Sequence, residues 1–301
     1  MALSNNIKGA IYMSAAMAGF GFNDMLVKAA TKSLATGEII LIRGAISTLL
    51  VFLLAVHMGA LRPIRTVLSP MLALRVLAEV TATFTYIYAL GQLPLANAGA
   101  ILQFLPLAVT LGAAIFLGEP VGWRRWGAIL AGFVGVLLII RPGPDGFSVA
   151  SFLALACVFA AAGRDIATKR LPAGIPTVFV TLITSAAVTI GGGIFIQPLG
   201  GWQAPPLVDV LYLALAAVCL MVGYLGLITA MRTGEISFIA PFRYTYMIWA
   251  LILSFTIFGD VPDTFMLLGC AIVVASGIYT FYRENRRRTG LPAQSLPRAP
   301  H

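Results

Sequence analysis

A chain of 301 residues that is 59% hydrophobic and only 10% charged lies far from soluble domains, of which about a quarter of the residues are charged. A soluble fold is excluded and a membrane protein implied. The formal net charge of +9 raises nucleic acid as a partner, but the placement of the cations argues against it, as set out below.

A spanning helix needs about 20 mostly apolar residues, and ten such stretches follow one another: about 8–30, 36–58, 71–91, 95–117, 122–140, 148–168, 175–197, 207–231, 235–258 and 263–283. Strand alternation over ~10-residue segments is absent, so a β-barrel is not expected. The first span carries Ala15 and Gly19 four apart, then Phe20, Phe22, Asn23 and Asp24. Asp24 is expected to pair with Lys28 one turn on, near the membrane interface. Arg43 lies within the second span. The third carries Arg75 and Glu79 at i, i+4, with Tyr86 two turns further along the same face. Gln103 and Pro106 lie in the fourth, and the proline invites a bend. The fifth holds Gly127, Gly132 and Gly135 at small-xxx-small spacing, the mark of close helix contact.

After the RPGPDG connection the pattern starts again. Arg164, Asp165 and Lys169 end the sixth span, the seventh carries Gly191-Gly192-Gly193, and Tyr224 lies in the eighth. The ninth carries Pro241, Arg243, Tyr244, Tyr246 and Trp249, and the tenth is apolar and rich in small residues. Asp24 and Lys28 recur at an offset of 141 as Asp165 and Lys169, and Gly118-Glu119 recurs as Gly259-Asp260. At 142, Gly127, Gly135 and Arg141 recur as Gly269, Gly277 and Arg283. This is a duplicated half-protein: a first repeat over 1–141, a second over 148–283, and a basic tail, 284–301, expected to be disordered. Five spans per repeat force the second copy to run in the opposite sense. The expected fold is therefore all-α, with ten transmembrane helices in two inverted five-helix repeats around a central cavity.

With ten spans both termini lie on one side. Thirteen lysines and arginines fall on that side, against Lys28, Lys32 and Arg141 on the other, so both termini are expected in the cytoplasm, with the chain in the cell inner membrane. The three cysteines, all inside spans, have no metal or redox spacing and read as packing residues. No Gly-x-x-x-x-Gly-Lys-Ser/Thr loop is present to cradle ATP, and neither histidine is placed to act as a base. An enzyme is not expected, nor any cofactor or metal. The expected partners are a small-molecule substrate and the bilayer, with the chain a monomer or homodimer.

The proline in the fourth span, the Leu117-Gly118-Glu119 hinge and the following Trp126-Gly127, Gly132 and Gly135 resemble the signature of the drug/metabolite transporter superfamily, EamA type. The second copy departs from it, with Asp260 for the glutamate and Met247 where a proline would stand. The resemblance covers nearly the whole chain. It implies a ten-helix carrier working by alternating access, and likeness to the aromatic amino acid exporter branch implies aromatic amino acids as substrates. A passive channel, or an exporter of cationic drugs, is the alternative.

Charges inside spans cost at least ~2.5–3.5 kcal/mol on insertion scales, so they face a partner or a cavity. Arg75 with Glu79, and Arg164 with Asp165, are expected as structural pairs. Glu79 and Arg243 are not reproduced in the other repeat, where Leu220 and Leu102 stand. A scaffold is symmetric, whereas a site for an asymmetric solute need not be. Glu79 and Arg243 are therefore the leading substrate-binding candidates, expected within water-bridging reach of each other, with Tyr244 as the partner of Arg243. Tyr86, Gln103, Tyr224, Trp249 and Phe20 complete the candidate wall, since aromatic faces suit flat or cationic solutes.

Overall fold

The structure, a computed structural model, describes residues 4–119, 122–141, 148–172, 174–233 and 235–289. The RPGPDG connection, Asp145 included, and the tail from residue 290 on lie outside them. Among the described residues every regular element is helical: α1 Asn5–Ala30, α2 Thr36–His57, α3 Pro70–Gln92, α4 Leu95–Leu102, α5 Leu105–Phe116, α6 Trp123–Ile140, α7 Val149–Lys169, α8 Thr177–Ile194, α9 Leu207–Thr233, α10 Ile236–Ile239, α11 Thr245–Phe258 and α12 Thr264–Thr289. Helix starts follow the cap residues. Ser69 and Ser148 accept from the backbone N–H of Leu72 and Ser151, both at 3.1 Å, and Glu38 reaches back to the Ala35 N–H at 2.9 Å, satisfying donors that a helix start leaves orphaned.

Eight helices, counting α4 and α5 as one, are long and apolar enough to cross a membrane. The other two crossings are α1, polar at both ends with Asn5, Asn6 and Lys8 and then Asn23, Asp24 and Lys28, and the ninth, which is interrupted. The interruptions are the main departure from ten continuous spans. The fourth crossing breaks between α4 and α5, where Pro106 has no N–H to offer the Leu102 carbonyl. The ninth breaks in the 3-10 segment Ala240–Tyr244 that contains Pro241. The two breaks coincide at the 141 offset. So do the hinges: Gly118 and Gly259 adopt φ of 64° and 71°, the left-handed cap that glycine takes without steric cost. The Glu119 and Asp260 N–H groups then fold back onto Ala113 and Ser254 carbonyls at 3.3 and 3.1 Å.

The main packing pairs are α1 with α9, α3 with α7, α2 with α8, and α6 with α12. Since α1 corresponds to α7 and α3 to α9, the first two are one contact made twice. The last two join an element to its own repeat mate across a pseudo-two-fold axis. Near that axis the mates Thr48 and Thr189 share a hydrogen bond between hydroxyls at 3.1 Å, and Gly135 faces Gly269, each at the other's backbone oxygen. The outer surface carries large exposed apolar side chains, Leu49, Leu53, Leu130, Ile190, Leu211 and Phe255 among them, as a lipid-facing surface does.

Candidate functional site

The polar side chains of the interior form a column between the repeats. On α3, Arg75, Glu79 and Tyr86 share a face; at 1.5 Å rise per residue they span about 16 Å along the membrane normal. At the end that carries the chain termini, Arg164 of α7 holds Glu79 at 3.0 Å and Asp165 at 2.8 Å. Arg75 donates to Thr168 at 2.9 Å and to Thr184. The expected Arg164–Asp165 pair is present. The expected Arg75–Glu79 pair is not the one formed, because Arg164 reaches Glu79 from the opposite repeat and Arg75 turns to two threonines.

Farther along the column lies Asp24, 7% exposed. Its Oδ2 accepts from the Tyr86 hydroxyl at 2.7 Å and from the Tyr246 hydroxyl at 2.5 Å. Its Oδ1 accepts from Asn23 Nδ2 at 2.8 Å. Arg43 donates to Asn23 Oδ1 at 3.3 Å and reaches Asp24 only through that amide. The position of Tyr246 follows from Gly99 of α4: a Cβ there would sit 2.8 Å from the Tyr246 ring, so only glycine lets the ring lie on the α4 backbone. The pairing of Asp24 with Lys28 is therefore corrected. Lys28 donates instead to the carbonyls of Leu90 and Leu93 at 3.2 and 2.5 Å, at the C-terminal end of α3, where orphan carbonyls seek donors.

The other candidates are distributed around this column. Arg243, at the break in the ninth crossing, is half-buried, and its guanidinium makes no hydrogen bond or ion pair among the described residues; its charged neighbours are Asp165 and Arg164. Arg164 thus acts on Arg243 while it pairs with Glu79. The ring of Tyr244 packs on Gly277 of α12, within electrostatic reach of Arg243 but without a hydrogen bond to it among the described residues. Gln103, the repeat mate of Tyr244, sits at the other break, and the Gln103 Nε2 and Tyr244 hydroxyl are both buried without hydrogen-bond partners among the described residues. Phe20 meets Tyr224 edge-on with centroids 5.3 Å apart, and Trp249 lies 6.0 Å from Phe22. Asp24 and Tyr246 are not among the candidates the sequence singles out. In the sequence Asp24 looks satisfied by Lys28 one turn on, and its recurrence as Asp165 hides a difference of surroundings: position 23 is Asn, whereas its mate is Arg164.

The two ends of the molecule differ as well. At the end away from the termini α4 packs against α11, Lys28 is half-buried, and Asp260 lies within its electrostatic reach. At the other end the mates Lys169 and Glu119 form a 3.5 Å ion pair with both side chains about half exposed, and among the described residues α5 and α10 make less contact than their mates α11 and α4. The two repeats are packed more closely at one end than at the other.

Two copies of one sequence profile, that of the EamA-like transporter family, match residues 7–141 and 148–282. The chain belongs to the EamA-like transporter family. It is thus a multi-pass membrane transporter and not an enzyme. Among EamA-like relatives, the riboflavin transporter of Vibrio cholerae is 26% identical over 290 residues, covering 93% of this chain and 95% of that one. The pseudopaline exporter CntI of Pseudomonas aeruginosa is 29% identical over 274 residues, covering 88% and 93%. The S-adenosylmethionine uptake transporter of Rickettsia prowazekii is 21% identical over 296 residues, covering 95% and 96%. A crystal structure superposes with a TM-score of 0.64 over 94% of this chain and 99% of that one at 17% identity, which shows the shared fold. These relatives do not single out aromatic amino acids.

Proposed function

We propose that this EamA-like protein is a secondary carrier that exports small amphipathic metabolites bearing a carboxylate, aromatic amino acids among them, by alternating access across the inner membrane. The observation that carries the reading is Arg243. A guanidinium inside a membrane protein is costly unless it finds a partner, and this one has none among the described residues, at a helix break, beside Arg164 and Asp165 of its own repeat. A planar guanidinium binds a carboxylate bidentately, and Phe20 and Tyr224, packed edge-on on α1 and α9, offer aromatic faces elsewhere along the interior. With both termini cytoplasmic, the looser end faces the cytoplasm, as a carrier waiting to load for export would. The relatives that handle riboflavin and S-adenosylmethionine, both built on flat heteroaromatic rings, widen the panel beyond amino acids.

The test is uptake by proteoliposomes of tryptophan, phenylalanine, riboflavin and S-adenosylmethionine. Saturation and acceleration by unlabelled solute on the opposite side are expected; a passive pore shows neither. Arg243→Gln is expected to lose carboxylate-bearing substrates at least tenfold while its melting temperature stays at the wild-type value. Full transport of those substrates by the variant refutes the role of Arg243.

A further inference from the structure

We propose that Asp24, clamped by Tyr86 and Tyr246, is the proton-binding site through which this carrier couples transport to a proton gradient. The inference rests on the carrier reading above, and it supplies the driving ion.

Asp24 is the acid most deeply enclosed within the polar column, and no cation touches it. Its three hydrogen bonds come from neutral groups, two tyrosine hydroxyls and a side-chain amide. An ionised carboxylate in that setting carries a large desolvation cost that a direct ion pair would offset. Its mate Asp165 has such a pair, with Arg164 at 2.8 Å. The partners at Asp24 serve both protonation states. A hydroxyl can donate to the carboxylate or, by rotating, accept from the carboxylic acid. The 3.5 Å contact between the two tyrosine hydroxyls gives the rotated hydrogens a place to go. The charged and titratable groups within electrostatic reach of Asp24 are Arg43 from α2, Tyr86 from α3, Cys157 from α7 and Tyr246 from α11, with Glu79 and Tyr224 acting on Arg43 beyond them. Along α1 itself the nearest is Lys28, occupied by carbonyls. Arg43 is held one amide away, close enough to moderate the charge without fixing it.

The clamp also crosses the moving parts. Tyr86 belongs to the first repeat, whereas Tyr246 rides on α11, which seals the end away from the termini by lying on α4. Opening that end carries α11 away, withdraws the Tyr246 hydroxyl and admits water to Asp24. In the state seen here Tyr246 covers the carboxyl from α11, and on the other side Tyr86 and Glu79 follow one another along one face of α3 toward the less closely packed end. A proton enters from the water of one end, forms an O–H bond on an Asp24 oxygen, and leaves to the water of the other end when the seal moves. The same carboxyl is thus presented to the two sides in turn, as ion coupling requires.

The experiment has a ligand-free arm and a transport arm. Infrared difference spectra of lipid-reconstituted protein, acid minus alkaline, are expected to show a protonated-carboxyl carbonyl band that is missing in Asp24→Asn. The band should persist at a shifted frequency in Tyr246→Phe, which removes one hydrogen bond and leaves the acid. Proteoliposomes given tryptophan or riboflavin under an imposed pH gradient are expected to accumulate solute uphill with the wild type. With Asp24→Asn the accumulation ratio should fall to unity and exchange should lose its dependence on pH, while Asp24→Glu restores part of both. Identical infrared spectra for wild type and Asp24→Asn over the range where both stay folded would overturn the proposal. So would undiminished uphill accumulation by Asp24→Asn, or a band displaced by sodium instead of by acid. If the wild type carries neither probe, the substrate reading fails and the infrared arm still decides Asp24.

Discussion

The contact between α6 and α12 allows a stability prediction in which helix propensity cancels. Gly135 and Gly127 lie on the same helix, eight residues apart. A Cβ on Gly135 would stand 2.8 Å from the Gly269 carbonyl oxygen and 2.9 Å from Val273 Cγ2, whereas one on Gly127 would meet nothing within 4 Å. The Gly269 oxygen belongs to a helical backbone and cannot rotate aside, and it lies about 0.6 Å inside ordinary van der Waals contact. The helices must separate by roughly that amount, and a gap of 0.5–1 Å forfeits about a quarter to a half of each dispersion contact along the seam. Overpacking of this kind costs about 1–3 kcal/mol. Alanine in place of glycine favours both sites by up to about 1 kcal/mol through the backbone, so the difference between Gly135→Ala and Gly127→Ala isolates the packing. Thermal unfolding of both variants in one detergent is expected to place Gly127→Ala at or above the wild type and Gly135→Ala below it. Equal melting temperatures for the two variants would refute the close approach of α6 to α12.

Gly132→Leu is expected to abolish folded protein on size-exclusion chromatography, because its Cβ already meets Leu107, Ser276 and Phe104 and the rest of a leucine has nowhere to go. Cysteines at Arg62 and Arg124 should label only from the cytoplasm and one at Asp263 only from outside; cytoplasmic labelling at Asp263 would break the inverted topology. Arg164→Gln strands Glu79 and Asp165 together and is expected to destabilise the protein toward the lower end of the ~3–5 kcal/mol typical of a broken buried pair, since both partners at the 3.0 Å contact are about one-fifth exposed. Glu79→Gln/Arg164→Gln should regain most of that loss in a double-mutant cycle, and a wild-type melting temperature for the single variant would remove Arg164 from the column's framework.

The sequence carried the fold because its signals are local or periodic. Span lengths follow from apolar runs, the repeat from the Gly-Glu and Gly-Asp hinges, and the bends from Pro106 and Pro241. Pairing across the interior is another matter. Arg75 and Glu79 sit one turn apart and invite a local pair, but Arg164 approaches from a helix 85 residues away and takes the carboxylate, a rearrangement that no single-helix geometry reveals. Asp24 illustrates the same limit. One turn from Lys28, it looks satisfied, yet the lysine is drawn to helix-end carbonyls and the carboxyl turns inward to tyrosines on α3 and α11. The rule that functional residues escape duplication singles out Glu79 and Arg243 and says nothing of Asp24, because a residue can recur in name while its neighbours differ.

The matched helix pairs at the two ends have a consequence for how the molecule divides its time. The end away from the termini is closed by α4 of one repeat on α11 of the other, so a conformer closed at the opposite end rebuilds with their mates α10 and α5 what α4 and α11 build here. Two arrangements assembled from near-copies are close in free energy, and a population ratio between them moves tenfold for each ~1.4 kcal/mol of difference. The copies are unequal where it counts: Leu105 and Leu227 stand at the mates of Tyr246 and Tyr86, so the second conformer has no tyrosine clamp of its own. Substitutions confined to one repeat therefore act as weights on one side of a balance, and paired substitutions at mates 141 residues apart should cancel.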